Sequence, residues 1–426
     1  MRRALYALAL VLHVVFQLAP AIQKVSADNS GRDFSSYYYA AAAATHGKDP
    51  YDTAGLSKLS RKDHTRRGVN PYFYPPPFVL TMLWAPFLTL HQAYWAMLVL
   101  NEVLLAACLA ALYRWFAVPT WALALLVATY SPIPDNAWMG QANLLALLPA
   151  LIGLGVARAT RDADVAGGGL GIDRRRDILG GALVGFSAML KMSPALFLLY
   201  WALRRNWTAI GMAVVTAVAL SVAALPFVTL SQQIVFYCHI LPGFASGDYH
   251  GLTVPISLPA NHSIPDLWNR LFPSGGDLLS ERARVGSLAC TLTLIGVWAW
   301  VCRKRGNEPA VLGALTVIMV VTPVYTYEHH LVFLLLALGA AARVSPAFGL
   351  TYFFLAWSLV RLRQVQGWAP DFVDPWLRES KFLAELSLFG LCLWRHRSEV
   401  ARAAHAAPTY TGPPTGRAPP TAPTTR

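Results

Sequence analysis

The feature that most constrains this chain is a succession of long apolar runs separated by short hydrophilic breaks. Only 13% of the residues are charged and 55% are hydrophobic, whereas about 25% of the residues of a soluble domain are charged. Inside a bilayer the backbone can satisfy its hydrogen bonds only as a helix or a closed barrel, and runs of this length favour helices. The pattern therefore predicts an all-α polytopic membrane protein.

The runs predict about 12 transmembrane helices, several of them shorter than the ~20 residues that a perpendicular crossing needs. Short spans indicate broken or half-buried helices around an internal cavity. The runs are Ala4–Ile22, Ala93–Leu112, Pro119–Ser131, Gln141–Val156, Ile178–Leu190, Ser193–Leu203, Trp207–Leu230, Val285–Val301, Ala310–Thr322, Leu331–Ala342, Pro346–Val360 and Lys381–Trp394.

Basic residues orient the predicted helices. The net charge is +13, but the basic residues lie in the breaks between apolar runs, as the positive-inside bias requires, so we expect no nucleic acid as a partner. The clusters expected in the cytoplasm are Arg2-Arg3, residues 158–176, Arg204-Arg205, Arg303-Lys304-Arg305, Arg343 and Arg395-His396-Arg397.

Two long loops should then face outward, at residues 23–92 and 231–284. The apolar stretch Tyr74–Leu90 in the first loop is expected to be re-entrant or interfacial, since another crossing would invert every later loop, and its prolines disfavour a continuous helix. We expect one polytopic domain over residues 1–400 in the plasma membrane. Residues 401–426, rich in Pro, Thr and Ala, are expected to form a disordered cytoplasmic tail.

Several polar residues in apolar surroundings should converge on the outer face. Asp33 follows the first run, Gln141 and Asn143 begin the fourth, and Lys191 lies between two short apolar halves. Ionisable groups within a membrane are costly and by default indicate function. Asp33 is either a base at the membrane edge or a solvated loop residue. Lys191 can bind a buried anion, above all a phosphate, or extend to the interface.

Three further candidates have more than one interpretation. Glu328-His329-His330 precedes the tenth run, and adjacent histidines diverge on a helix, which disfavours a metal site. Binding a phosphate or sugar hydroxyl and capping the next helix both stay open. Tyr74 can belong to an aromatic platform for a sugar or lipid, or anchor the interface. Asn261 begins a glycosylation sequon, and in an outer loop it can equally bind substrate.

An ordered set of short motifs resembles glycosyltransferase family 87, a group of polytopic glycosyltransferases of the GT-C superfamily. Each motif is common alone, and their order along the chain is the more specific signal. The motifs are Asp33-Phe34 with Tyr37–Tyr39, Gly47–Tyr51, Tyr72–Pro76, Gly140–Asn143, Leu190–Pro194 and, after Pro323, Glu328–His330.

The resemblance implies a GT-C-like fold and an inverting transfer of a sugar, often mannose, from a polyprenyl-phosphate-sugar donor. The acceptor would be a glycolipid or glycan on the extracytoplasmic face. Asp33 matches the presumed catalytic base, and Lys191 and His330, to which we add His329, match positions that can hold the donor phosphate. No cofactor and no metal are expected. The expected substrate-binding residues are Tyr37, Tyr74, Gln141, Asn143, Glu328 and Asn261.

Two other functions stay open at this point. A secondary transporter or flippase for a lipid-linked or anionic substrate would use broken helices and Lys191 to pass an anion, although no internal repeat is apparent. A ligase that moves preassembled glycans would share the architecture. The sequence leaves the sugar, the acceptor and the linkage open.

Overall fold

The computed structural model describes residues 2–28, 30–64, 69–164, 170–252, 254–258, 260–356 and 379–406. Within these ranges every regular element is helical, as the apolar runs predict. Residues 401–406 continue the last helix. The rest of the expected tail, and the end of the run Pro346–Val360, lie outside the described residues.

The helices differ greatly in length, from 3 to 27 residues. The α-helices are α1 Arg2–His13, α2 Ala19–Ala27, α3 Phe34–Thr45, α4 Thr53–Lys62, α5 Phe78–Met82, α6 Leu90–Phe116, α7 Thr120–Thr129, α8 Pro132–Trp138, α9 Asn143–Asp164, α10 Leu170–Leu190, α11 Phe197–Leu203, α12 Trp207–Ala224, α13 Leu230–Val235, α14 Leu241–Gly243, α15 Ile264–Leu271, α16 Glu281–Cys302, α17 Glu308–Val321, α18 Leu335–Ala341, α19 Pro346–Ala356 and α20 Ser380–Ala406. Short 3-10 helices cover Ala85–Phe87, Ser193–Leu196, Phe244–Ser246 and Glu328–Leu334, and π-helical turns cover Val14–Leu18 and Phe236–Ile240.

Among the described residues, four helices are long and apolar enough to cross a membrane. They are Ala4–Ala27, which combines α1 and α2, and the helices α6, α12 and α16. Seven further apolar helices have only 10–17 residues. The structure therefore indicates a membrane protein with several apolar helices, while the predicted number of about 12 crossings is not confirmed.

The stretch Tyr74–Leu90 forms only short helical pieces. The five residues of α5 are followed by the three-residue 3-10 turn Ala85–Phe87. Pro75, Pro76 and Pro77 precede α5, and proline cannot donate the hydrogen bond that would extend a helix through it. Neither piece approaches the ~20 residues of a crossing. Both pieces pack against α3.

The centre of the core is formed by α17 and α18. Every residue of α17 from Ala310 to Val321 is buried, and α18 is buried along its whole length. A helix that is apolar on all sides is enclosed by other elements. In contrast, α12 and α16 expose apolar side chains such as Val218 and Leu292. These two helices therefore lie at the periphery, where a lipid-facing helix belongs.

Glycines allow α10 to approach both α9 and α12 closely. A Cβ atom at Gly181 would collide with the carbonyl oxygen of Ala209 in α12. Between α9 and α10, a Cβ atom at Gly153 or at Gly180 would lie 2.7 Å from the carbonyl oxygen of the other glycine. Small residues of this kind bring the backbones of membrane helices together, so the three helices form a tightly packed layer.

Several helix ends lie around one cavity. α3 begins next to Asp33, α10 ends next to Lys191, and the 3-10 helix begins at Glu328; all three side chains line that cavity. The turn before α9 requires a glycine, because Gly140 has a φ of +66° and a Cβ there would lie 2.6 Å from Cβ of Phe34. The helices thus bring polar residues from distant parts of the sequence to one space.

Replacing Gly181 with alanine should destabilise the protein, because the added methyl group has no room beside the Ala209 carbonyl. Overpacking of this kind costs about 1–3 kcal/mol of folding free energy. We expect a lower thermal unfolding midpoint for the purified protein in detergent. Gly211→Ala is the matched control, since a Cβ there meets nothing within 4 Å and alanine favours a helix. Equal midpoints for the two variants would contradict the close α10–α12 contact.

Candidate active site

A cavity of about 1250 Å³ lies among these helix ends. Its wall includes Asp33, Lys191 and the segment Glu328–His330. The wall also includes two residues of α16, Val285 and Leu288. Val285 is 62% exposed and Leu288 is 59% exposed. Because these two residues belong to both the wall and the outer surface, the cavity opens along a peripheral apolar helix. Charged groups and an apolar opening therefore share one space.

Asp33 stands directly before α3, yet its carboxylate does not cap that helix. Its Oδ1 accepts a hydrogen bond from Nδ2 of Asn70 at 3.0 Å, and its Oδ2 accepts one from Nε2 of Gln141 at 2.6 Å. An aspartate in this position usually accepts from the first amides of its helix. Two side-chain amides instead hold the carboxylate at the cavity.

The environment of Asp33 favours proton uptake. Burial raises the pKa of its carboxyl group, because removal from water disfavours the charged form. The hydrogen bonds from Gln141 and Asn70 and the positive charge of Lys191 oppose this rise in the pKa. A carboxylate whose pKa is raised binds a proton more strongly, so Asp33 is better suited to act as a general base than an exposed aspartate.

Gln141 connects Asp33 to two buried tyrosines. Its Oε1 accepts a hydrogen bond from the hydroxyl of Tyr37 at 3.0 Å and lies 3.3 Å from that of Tyr74. The two hydroxyl oxygens are 2.6 Å apart. With Oε1 committed to the tyrosines, the amide nitrogen is directed to Asp33, since a carboxamide has its donor and acceptor on opposite sides. The four side chains form one network.

Lys191 follows the last residue of α10 and is held by a second carboxamide. Its Nζ donates to Oδ1 of Asn143 at 2.5 Å, and Nδ2 of Asn143 donates to the backbone carbonyl of His329 at 2.8 Å. Burial lowers the pKa of Lys191 to about 7, and the negative charge of Asp33 acts in the opposite direction. An ammonium group has three donors, so Lys191 can bind an anion while Asn143 holds it.

The histidines of the Glu328–His330 segment both line the cavity. The backbone amide of Tyr327 donates to Nδ1 of His330 at 3.1 Å. In the neutral ring the proton is then on Nε2, which can donate to a ligand. Within the described residues no three His, Cys, Asp or Glu side chains are grouped so that they could hold a metal ion.

Glu328 also lines the cavity, and its carboxylate is tied to the last helix. Oε2 accepts a hydrogen bond from Nζ of Lys381 at 2.5 Å. Oε1 lies 4.0 Å from Nε2 of His262, a ring in the second long loop. The first residue of the 3-10 helix therefore lies close to both α20 and the segment that precedes α15.

Two of the residues expected to bind substrate do not line the cavity. Asn143 is fully buried behind Lys191. Asn261 is 2% exposed, which also leaves no room for a glycan on its side chain. Its Nδ2 donates to the carbonyls of Ile256 and Val324, and its Oδ1 accepts from the amide of Thr326 at 2.9 Å. Asn261 thus fixes the backbone just before Glu328.

Sequence reasoning missed two residues of the site. Asn70 holds Asp33 although the two are 37 positions apart, and no motif marks an asparagine in a long loop. Lys381 contacts Glu328 although it lies 53 positions later in the sequence, in α20. The one signal in the sequence was the position of Lys381 at the start of the last apolar run. A lysine in an apolar segment is expected to be buried, and a fully buried lysine requires a partner.

Comparison with known protein families places the chain in one of them. The profile of glycosyltransferase family 87 matches residues 72–326, more than half of the chain. The match includes Tyr74, Gln141, Asn143 and Lys191, while Asp33 precedes it and Glu328 follows it. No curated protein and no solved structure matches the chain.

Replacing Gln141 with leucine should destabilise the protein, because the apolar side chain leaves the hydroxyls of Tyr37 and Tyr74 and the Asp33 carboxylate without their shared partner. A buried polar group without a partner costs about 1–3 kcal/mol. We expect a lower thermal unfolding midpoint for the purified protein in detergent. The matched control is Gln23→Leu, at an exposed position of α2. A midpoint that falls no further than that of the control would contradict the network.

Proposed function

Because the chain belongs to glycosyltransferase family 87, a family of membrane glycosyltransferases, we propose that it transfers mannose from a polyprenyl-phosphate-mannose donor. The acceptor is a glycolipid or glycan on the extracytoplasmic face of the plasma membrane, and the transfer inverts the anomeric carbon. The observation that carries this proposal is the cavity that Asp33 and Lys191 share. The carboxylate suits proton removal and the ammonium suits a phosphate leaving group.

Asp33 is the proposed catalytic base. The acceptor hydroxyl oxygen forms a bond to the anomeric carbon while the bond from that carbon to the phosphate oxygen breaks. The hydroxyl proton passes to Asp33, and polyprenyl phosphate leaves with the bonding electron pair. General base catalysis contributes about 10²- to 10⁴-fold to the rate of such a step. The raised pKa of this partly buried carboxyl group supports this role.

Lys191, His330 and His329 are proposed to hold the donor phosphate. Negative charge develops on the phosphate as the sugar leaves, and a fixed cation stabilises that charge in the transition state. Lys191 is the member of the group that is cationic when protonated, and Nε2 of His330 is available as a neutral donor. Protein donors of this kind can stabilise the leaving group, so the proposal includes no metal and no cofactor.

The remaining site residues support these groups. Gln141, with Tyr37 and Tyr74, orients Asp33, and Asn143 orients Lys191. Glu328 has a carboxylate at the cavity and is proposed to bind a sugar hydroxyl. The buried position of Asn261 supports an indirect role, in which it holds the backbone before Glu328.

The apolar opening supports a donor that is linked to a lipid. Val285 and Leu288 line the cavity and are also more than half exposed on α16, so an isoprenoid chain can leave the cavity there while its phosphate stays near Lys191. A transporter or flippase would also need an anion site and a lipid opening. Membership of a glycosyltransferase family favours sugar transfer instead.

Asp33→Asn should abolish most transfer of mannose from polyprenyl-phosphate-mannose while folding and donor binding persist. The amide cannot accept the acceptor proton, and loss of a general base lowers the rate about 10²- to 10⁴-fold. The measurement is product formation by purified protein with a panel of candidate acceptors, with Asp33→Ala assayed in parallel. Full activity of Asp33→Asn would rule out Asp33 as the base.

Lys191→Ala should weaken donor binding more than acceptor binding, because the ammonium contacts the phosphate that only the donor carries. A lost hydrogen bond to a charged group costs about 1.5–3 kcal/mol, so we expect the donor dissociation constant to rise at least ~10-fold. Titration with polyprenyl-phosphate-mannose measures it. Lys48→Ala, at an exposed loop position, is the control. Unchanged donor affinity in Lys191→Ala would exclude the phosphate contact.

A further inference from the structure

We propose that Lys381 of α20 is a positioning residue that holds the Glu328 carboxylate against the sugar ring of the donor, so that this ion pair selects the transferred sugar. The inference rests on the proposed function for its donor. It assigns a role to the last helix, which lies beyond the part of the chain that the family profile matches.

The ion pair joins the protein interior to the cavity. The side chain of Lys381 is 0% exposed and that of Glu328 is 13% exposed. Nζ of Lys381 donates to Oε2 of Glu328 at 2.5 Å and lies 3.4 Å from the carbonyl oxygen of Leu355. Glu328 lines the cavity. The lysine therefore fixes one carboxylate oxygen from behind, while the carboxylate itself reaches the ligand space.

The neighbours of Glu328 place it beside the donor sugar. His329 and His330 follow it directly, and Asn143 links the His329 carbonyl to Lys191. The proposed phosphate site therefore begins one residue after Glu328. In an inverting transfer the base and the leaving phosphate are on opposite sides of the sugar ring, so the ring lies between Asp33 and Lys191. A carboxylate next to the phosphate site then meets hydroxyl groups of that ring.

A carboxylate at this position can discriminate between sugars. Ionised carboxylates accept several hydrogen bonds, and those bonds are stronger than bonds between neutral groups. A site built to bind a hydroxyl rejects a ligand that lacks it far more strongly than an apolar pocket does. The direction of the carboxylate therefore matters, and that direction depends on Lys381.

A contribution to folding stability would not by itself explain why the chain has this Lys381–Glu328 ion pair. Burying two charges is costly, and replacing a buried ion pair with uncharged residues of similar size is often neutral or stabilising. Removing one partner is destabilising because an unpaired charge is left behind. These two outcomes allow a structural ion pair to be distinguished from one that acts on a ligand.

A second carboxylate lies close to the pair and provides a control. Glu385 is one helical turn beyond Lys381 on α20 and is fully buried. Within the described residues neither of its oxygens has a hydrogen-bond partner. Glu385→Gln removes a buried carboxylate next to Lys381 while leaving the pair with Glu328 intact.

The test measures binding to purified full-length protein in detergent, which requires no knowledge of the acceptor. The variants are Lys381→Met, Glu328→Gln, the double variant K381M/E328Q and Glu385→Gln. Each is titrated with polyprenyl-phosphate-mannose and with polyprenyl-phosphate-glucose, which carries the same charge and differs only in the configuration of its 2-hydroxyl group. The thermal unfolding midpoint of each variant is recorded as well. We expect the unmodified protein to bind the mannose-bearing ligand at least ~10-fold more tightly, as expected for hydrogen bonds to a charged group.

Each single variant at positions 328 and 381 should lose that preference and have a lower midpoint. The double variant should regain the midpoint, because neither member of the ion pair is left without the other, but it should bind both ligands equally. Glu385→Gln should keep the preference. This pattern would support the proposal even if one single variant fails to fold, because the double variant and the control carry the comparison.

Three results would overturn the proposal. A double variant that retains the preference would show that the ion pair is only structural. Loss of the preference in Glu385→Gln would show that any buried carboxylate in this region has the same effect. Equal binding of both ligands by the unmodified protein would exclude selection of the sugar at this site and leave the proposed function standing. Binding of neither ligand would count against the proposed function itself.

Discussion

The arrangement of this site depends on two carboxamides that hold opposite charges. Gln141 donates to Asp33 and Asn143 accepts from Lys191, and only one residue separates the two amides. Charged side chains in a low-dielectric environment need fixed partners, because an unpaired buried charge is expensive. The turn before α9 therefore determines where both the carboxylate and the ammonium stand. Gly140 makes that turn possible through its positive φ.

Part of this arrangement could be predicted from the sequence. Asp33, Gln141, Asn143 and Lys191 stand out because each is polar within or beside an apolar run, where polar groups are costly. The long apolar runs likewise predicted an all-helical membrane protein. The number of crossings was not confirmed, since run length in a sequence does not determine where a helix is interrupted by packing or proline.

The remaining features arise from contacts between distant residues, and a single sequence does not reveal such contacts. Asn70 belongs to a loop without periodicity, and only the folded chain places it against Asp33. The sequence favoured a ligand-binding or glycosylated Asn261 because it is polar in a predicted outer loop, but its side chain is hydrogen-bonded to three backbone groups. Lys381 looked like the start of an apolar run, and its partner lies 53 residues earlier.

The glycine contact between α9 and α10 has a consequence at the other end of these helices. Gly153 is ten residues from the start of α9 (153 − 143 = 10), and Gly180 is ten residues from the end of α10 (190 − 180 = 10). At a rise of about 1.5 Å per residue, both lie ~15 Å from the Asn143–Lys191 hydrogen bond. Because neither glycine has a side chain, the two helix backbones touch at this point. That contact determines the distance between the helix ends that carry Asn143 and Lys191. The position of the Lys191 ammonium group at the cavity therefore depends on a backbone contact in the interior of the helix bundle.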